Sequence, residues 1–327
     1  MATIKQVALE AGLSKSTVSR FIAQNGYVSD EARKKIEEAI KKLNFTPNLS
    51  AQSLKTKKNQ LVGLLLPDIS NPFFPMLAKG AEEFLKEKGY RVMLGNIGEN
   101  HQSEHDYLKV LLQSNAAGII STHDFKEEFP DLDIPSVIVD RVGHKSNYGA
   151  FSDNESGGRL AAKVIVEAGA KNVAVVSGSL NATNINNRFK ASIAYLKEKK
   201  VDFKAFYSQS YDFEEIQKEA REVLANKENF DSIIAPSDIH AMAYIHEIHR
   251  LDKKIPEEIQ IIGYDDIQMS QFIYPALSTI HQSAYQMGLE AAQLIYKIAT
   301  DQPIEKSQIE LPVHYVARET IRQKRKE

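Results

Sequence analysis

Apolar positions along this chain follow two different rhythms. Over residues 4–43 they recur at helical spacing in three short stretches. Thr3 can cap a first helix whose inner face is Ile4, Val7, Ala8 and Ala11, and Gly12 ends it. Ser14 can cap a second helix, with Val18, Phe21 and Ile22 at i, i+3, i+4 spacing. Asn25-Gly26 marks a turn. Ser29 can cap a third helix, with Asp30 and Glu31 favourably placed in its first turn and Ile36, Ala39, Ile40 and Leu43 facing inward.

From Leu61 the rhythm changes to short continuous apolar runs separated by amphipathic helical stretches. Runs of this kind suit parallel strands covered on both faces. The pattern predicts strands at 61–66, 90–94, 118–121 and 135–139, with helices at 74–88 and 104–114. Around Ser152-Asp153-Asn154 the chain is expected to leave this lobe. A second lobe follows, with helices at 155–168, 187–199, 213–226 and 238–250 and strands at 173–176, 203–208, 232–235 and 259–262. The stretch 277–282 is read as a crossing back, with a helix at 283–299. Such alternation describes a doubly wound α/β fold in two lobes. The expected division is a helical domain at 1–47, a linker at 48–59 and a two-lobed α/β domain at 60–327.

Charge adds an asymmetry that the net value of −2 conceals. Residues 1–60 hold 11 Lys/Arg against 5 Asp/Glu, or +6, which leaves 30 against 38, or −8, in the remainder. A basic head on an acidic body fits a head that meets a polyanion, and it equally fits solvated charge. The absence of cysteine removes disulfides, thiolate metal sites and a cysteine nucleophile together. No apolar run is long enough to span a membrane, and the first residues carry no basic region followed by an apolar core. A cytoplasmic protein without membrane contact is therefore expected.

Two helices joined by a tight turn at a glycine describe a helix-turn-helix. In that motif the second helix enters the major groove, led by its N-terminal residues. Here those are Lys15, Ser16 and Thr17, with Arg20 one turn on. Lys and Arg donate to guanine edges, and Ser and Thr contact bases or phosphates. A plain three-helix bundle with solvated polar residues has the same spacing.

In the body, polar and aromatic residues punctuate the strand ends, where open α/β sheets bind ligands. They include Asn71-Pro72-Phe73-Phe74, Asp140-Arg141, Ser237-Asp238, Tyr264-Asp265-Asp266 and Gln282. Asp, Asn, Arg and Gln supply donors and acceptors for sugar hydroxyls, while Phe73 and Phe74 offer flat faces to a sugar ring. Taken singly, most such residues only cap helices, and Asp238 is read as a cap. Signatures of enzymes are missing: there is no GxGxxG, GxxxxGK[ST] or GxSxG. His246-Glu247-Ile248-His249 lacks the spacing of a zinc site, and these histidines, with His240, are read as exposed helix residues. Gly157-Gly158 is read as helix packing. No metal, cofactor or catalytic residue is expected.

The head also resembles a known family. Thr3-Ile4-Lys5-Gln6-Val7-Ala8, Ala11-Gly12-Leu13-Ser14, Thr17-Val18-Ser19-Arg20, Phe45-Thr46-Pro47-Asn48 and Ala51-Gln52-Ser53-Leu54 are similar to the LacI/GalR family of bacterial repressors. The resemblance implies a DNA-contacting set of Thr3, Ser14, Lys15, Ser16, Thr17, Ser19, Arg20, Asn48, Ala51, Leu54 and Lys55. It implies a hinge helix that folds on the operator and wedges Leu54 into the minor groove, a known way to kink DNA. Gln52 stands where the family usually has Arg, and Lys55, Lys57 and Lys58 can replace that charge.

The body resembles the family's periplasmic-binding-protein-like domain, and most of all its ribose-responsive branch, through Leu64–Asp68 and Ile261–Ile267. The implied sugar-contacting set is Asn71, Phe73, Phe74, Asp140, Arg141, Arg188, Ser237, Asp265 and Gln282, with Ser237 where that branch usually has Asn. The resemblance thus implies a homodimeric repressor of a sugar operon, held on a pseudopalindromic operator and released by a small sugar, ribose foremost. Sucrose, fructose or a sugar phosphate are the alternatives, and a sugar receptor without DNA function is the rival of another class. One branch of the family takes a phosphocarrier corepressor, to which nothing here points. The polar stretch 317–327 lacks the leucine heptads of tetrameric members, so a dimer is expected.

Overall fold

The computed structural model describes residues 2–22, 26–45, 59–98, 101–125, 129–130, 132–141, 147–178, 183–208, 212–225 and 229–323. The chain forms two compact units, residues 1–59 with 113–116 and residues 60–112 with 117–327.

The first unit contains α1 (Ile4–Ala11), α2 (Lys15–Ile22) and α3 (Asp30–Lys42). Each starts where a hydroxyl can satisfy the orphan amides of a first turn. Thr3 and Gln6 form a reciprocal capping box at α1. Ser14 Oγ accepts from Thr17 N at 3.1 Å, and Ser29 caps α3 by accepting from Ala32 N. Gly12 ends α1 at φ +64°, a left-handed conformation that favours glycine. The apolar stripes meet in a small core of Val7, Ala8, Ala11, Val18, Ile36, Ala39 and Phe45. Val7, Val18 and Ile36 are wholly buried, each contributing about 1.5–3 kcal/mol, so this unit stands on few side chains.

The second unit begins with β1 (Asn59–Leu66), α4 (Phe73–Glu87), β2 (Arg91–Asn96), α5 (His101–Gln113), β3 (Ala116–Ser121), β4 (Ser136–Val139) and β5 (Gly149–Ser152). It continues through α6 (Asn154–Glu167), β6 (Asn172–Ser177), α7 (Thr183–Lys199), β7 (Asp202–Tyr207), α8 (Phe213–Leu224), β8 (Ser232–Ile234), α9 (Asp238–Arg250) and β9 (Gln260–Asp265). It closes with β10 (Thr279–His281), α10 (Ala284–Ala299), β11 (Gln308–Leu311) and β12 (His314–Val316).

These strands make two six-stranded sheets, in the order β11-β5-β4-β3-β1-β2 and β12-β10-β9-β8-β6-β7. The continuous apolar runs are the central strands: Leu64, Leu65 and Leu66 of β1 and Ile261 and Ile262 of β9 are wholly buried. The central strands pair in parallel, and β12 runs antiparallel against β10. This is the two-lobed α/β architecture that the alternation predicted.

The chain passes between lobes three times: from β5 to α6, from β10 to α10, and from β11 to β12. The first two fall where the sequence placed them. The third, with strands β5, β11 and β12, had no counterpart in the sequence reading. Helix α10 returns to pack on α4 in the first lobe, where Leu77, Ala81, Met287 and Ala291 share one core.

Candidate functional site

In the head, α2 carries no acidic residue in its first turn and buries Val18 on its inner side. Lys15, Ser16 and Arg20 are exposed, and Thr17 and Ser19 are half-buried. Thr3 and Ser14 are also exposed, but each has a structural task. Thr3 belongs to the capping box, and Ser14 Oγ lies 2.7 Å from Ser16 Oγ and 2.8 Å from Thr17 Oγ1. The structure thus gathers all seven described candidates of the head along the start of α1 and the face of α2. Asn48, Ala51, Leu54 and Lys55 lie outside the described residues.

In the body, the polar candidates collect at the C-terminal ends of strands from both lobes. Asp140 follows β4, Asp265 ends β9, and Gln282 follows β10. Asp140 (φ +61°), Asp265 (φ +114°) and Asp266 (φ +58°) hold backbone conformations that aspartate seldom adopts. Strain of this kind concentrates at ligand clamps and active sites.

Arg188, on α7, organises the second lobe's share. Its Nε donates to Asn154 Oδ1 at 2.7 Å and one terminal nitrogen donates to the Pro236 carbonyl at 3.0 Å. The same nitrogen stands 3.9 Å from Asp265 Oδ1, and the guanidinium lies 3.8 Å from the Tyr264 ring centroid. A planar guanidinium suits this combination of hydrogen bonding and stacking. The close approach of α6 to α7 that permits it rests on Gly158, where an added Cβ would collide with the Arg188 carbonyl. Gln282 Nε2 donates to Asp265 Oδ1 at 2.6 Å.

Arg188, Asp265 and Gln282 are each less than a tenth exposed, so their polar groups depend on protein partners more than on water. Burial pushes the Asp265 carboxyl well above its ordinary value; Arg188 and the Gln282 hydrogen bond oppose this, and the charges of Asp238 and, more weakly, Asp140 add to it. Asp140 of the first lobe is therefore within electrostatic reach of Asp265 of the second. Burial likewise raises the Tyr264 hydroxyl to about 12. The Tyr264 hydroxyl and Gln282 Oε1 are buried without a hydrogen-bond partner among the described residues.

The aromatic candidates divide. Phe73 and Phe74 pack edge to face at 5.2 Å. Phe73 joins Asp265 and Gln282 in lining a cavity of about 740 Å³ that also meets Pro72, Met76 and Tyr285. Phe74 lies in the first lobe's core, and Asn71 Oδ1 accepts from Phe73 N at 3.1 Å. Arg141 is half-buried beside Asp140.

Two readings of single residues need correction. Asp238 is not the cap of α9; Ser237 is, accepting from His240 N. Asp238 is wholly buried and accepts from Ile267 N (2.9 Å), Ser270 Oγ (2.6 Å) and Thr279 Oγ1 (2.5 Å), tying α9 to the segments around β10. His240, expected on the surface, is also wholly buried, whereas His246 and His249 are exposed. Glu247 between them is paired with Arg221 and Arg250. Gly157 and Gly158 do serve packing, against Tyr264 and Arg188. Asn154 and Tyr264 position Arg188 but were not singled out for that task; both sat in the motifs Ser152-Asp153-Asn154 and Tyr264-Asp265-Asp266. Among the described residues no group of three His, Asp or Glu is placed to hold a metal ion.

Comparison with known proteins gives a consistent placement. Residues 3–48 match the bacterial regulatory proteins of the lacI family, and residues 162–321 match the periplasmic binding protein-like domain. A ribose operon repressor of Lactococcus lactis subsp. lactis (strain IL1403) is 93% identical, over 100% of both chains. One of Bacillus subtilis (strain 168) is 42% identical, over 98% of this chain and 99% of its own. Among solved structures, a LacI family transcriptional regulator from Enterococcus faecalis V583 with bound ribose superposes with a TM-score of 0.71 at 26% identity, covering 80% of this chain and 98% of its own. With a helix-turn-helix head, a two-lobed α/β body and repressors as full-length relatives, the chain belongs to the LacI family of bacterial regulatory proteins.

Proposed function

We propose that this chain represses a ribose-utilisation operon, binding operator DNA through its head and releasing it when ribose enters the body. It acts by binding and not by catalysis. The observation that carries this reading is the buried Arg188–Asp265–Gln282 constellation, within electrostatic reach of Asp140, in a chain 93% identical to a ribose operon repressor. A ribose ring is dense in hydroxyls, and these groups can donate to and accept from them at fixed angles.

Under this reading Asp140 and Arg141 hold hydroxyls from the first lobe, and Arg188, Ser237, Asp265 and Gln282 hold them from the second. Phe73 faces the apolar side of the ring, with Phe74 packed edge to face behind it and Asn71 fixing the start of α4. Gln282 Oε1, without a hydrogen-bond partner among the described residues, is suited to a further ligand hydroxyl. In the head, Lys15, Ser16, Thr17, Ser19 and Arg20 read the major groove, with Thr3 and Ser14 near the backbone. Asn48, Ala51, Leu54 and Lys55 supply the hinge contacts.

The protein works as a cytoplasmic homodimer, because one helix-turn-helix reads only a few base pairs and a two-fold pair reads a palindrome. The sugar weakens operator binding by favouring a lobe arrangement that binds DNA less well. Calorimetric titration of the full chain with D-ribose, sucrose and fructose tests the ligand. Ribose is expected to bind and the other two not, and Arg141→Ala is expected to lose ribose while keeping operator binding. Binding of sucrose or fructose alone would replace the ligand, and an Arg141→Ala variant that still responds would move the site.

A further inference from the structure

Two polar rungs lie side by side at the ends of β9 and β10. Asp265 and Asp266 are consecutive, and so are His281 and Gln282. In the parallel register Asp265 stands opposite His281. The hydrogen bonds cross that register. Gln282 Nε2 donates to Asp265 Oδ1 at 2.6 Å, and His281 Nδ1 lies 2.9 Å from Asp266 Oδ2. A carboxylate only accepts, so His281 donates from Nδ1. All four residues line the cavity of about 740 Å³.

The second rung is tied from a third segment. Arg318, just past β12, donates from one terminal nitrogen to Asp266 Oδ1 at 2.6 Å and from the other to the Leu277 carbonyl at 2.8 Å. Its backbone N–H donates to Ser278 Oγ at 2.9 Å. His281 Nε2 lies 3.2 Å from Ser283 Oγ, and the imidazole packs against the His314 ring of β12 at 4.6 Å. Both Asp266 oxygens are thus engaged, and Asp266, His281 and Arg318 are all half-buried. Burial works against the Asp266 carboxylate, but the hydrogen bonds from His281 and Arg318 outweigh it and hold its pKa below the ordinary value.

The first rung has two competing tasks, on the sugar-site reading above. A ligand hydroxyl that engages Asp265 and Gln282 competes with the bond between them. Asp265 (φ +114°) and Asp266 (φ +58°) also hold conformations that persist only where the surroundings enforce them. We propose that Arg318, Asp266 and His281 are positioning residues that keep the two strand ends at a fixed separation while the ligand replaces the Asp265–Gln282 bond. The second rung restrains the backbone, so the first is free to exchange partners. Such preorganisation raises affinity by sparing the ligand the cost of ordering its own site.

The test is calorimetry of D-ribose binding by the full chain at neutral pH, comparing the wild type with His281→Leu, His281→Asn, Asp266→Gly and the double variant Asp266→Gly, Arg318→Met. His281→Leu is expected to weaken ribose about tenfold, and His281→Asn, whose amide nitrogen stands where Nδ1 stood, to restore it. A packing role predicts the opposite order, because leucine is the apolar filler of the two. That order, or an unchanged affinity in His281→Leu, overturns the proposal. Asp266→Gly removes the carboxylate at a φ that glycine accepts, and is expected to weaken ribose about tenfold. Adding Arg318→Met should then cost less than about twofold more, because Arg318 acts through Asp266. A further tenfold loss would remove Arg318 from the brace. If the wild type binds no ribose, the sugar reading fails, and hydrogen exchange of the ligand-free protein decides the brace. Peptides covering 263–267 and 280–284 are expected to exchange faster in His281→Leu than in the wild type and His281→Asn; equal exchange in all three overturns it.

Discussion

Head and body hold their candidate functional polar groups in opposite ways. On α2 the side chains of Lys15, Ser16 and Arg20 stand in water, and only Val18 of that helix is buried. In the body Arg188, Asp265 and Gln282 are buried; Arg188 donates to Asn154 and the Pro236 carbonyl, and Gln282 donates to Asp265. Water satisfies the head's groups in the absence of DNA, so the reading surface can change without touching the fold. Burial makes the body's candidate site part of its core, so the proposed function ties ligand affinity there to stability.

The strongest test of that contrast is Arg188→Ala. Removing one partner from a buried charged network leaves Asp265, Asn154 and the Pro236 carbonyl unmet, at a cost of about 3–5 kcal/mol. Urea denaturation is expected to show that loss, together with loss of ribose binding. An unchanged midpoint would erase the distinction between the two regions.

Asp238 probes the same point through pH. Burial raises its carboxyl from 3.8 to about 7, against the pull of its Ser270, Thr279 and Ile267 hydrogen bonds. A folded state that holds the proton more tightly gains stability at low pH and loses it as pH rises through the folded value. The Asp238 contribution is thus full below 3.8 and gone above about 7. Asp238→Asn is expected to flatten the fall in stability across that window, by a few kcal/mol in total, roughly 1.4 kcal/mol for each pH unit of the shift. A slope equal to that of the wild type would mean that Asp238 ionises as it does in the unfolded chain.

Gly158→Ala should cost about 1–3 kcal/mol by pushing α6 off the Arg188 carbonyl, with weaker ribose binding as a consequence. The smallest effect on folding is expected in the head. Arg20→Ala should leave stability within about 0.5 kcal/mol while lowering specific operator binding by about 1–3 kcal/mol. Equal losses on specific and random DNA would demote Arg20 to a phosphate contact.

The two regions also differed in how far they could be read from the chain. The caps Thr3, Ser14 and Ser29 and the inner faces of α1–α3 are local features, and all were visible as spacing. The central strands were equally plain, since burial on both faces leaves a continuous apolar run such as Leu64-Leu65-Leu66. Strands β5, β11 and β12 were not, because they are three or four residues long and β11 and β12 lie at sheet edges where polar residues intervene. The candidate sugar residues were named, but the partners of Arg188 lie 34 and 48 residues away along the chain, beyond the reach of local pattern. His240 is a different case. Its spacing to Tyr244 and Ile248 put it on the inner face of α9, and only its polar type argued for the surface; Ser237 and Ser208 supply what a buried imidazole needs.

The central claim is that ribose and operator compete through one protein. The direct measurement is operator affinity at fixed salt, with and without saturating D-ribose, using the full chain and a duplex selected by the protein from a random pool. The account predicts that ribose weakens binding by about 5–150-fold, the usual span of a coupling of 1–3 kcal/mol. Operator affinity that stays the same while calorimetry shows ribose bound would contradict it.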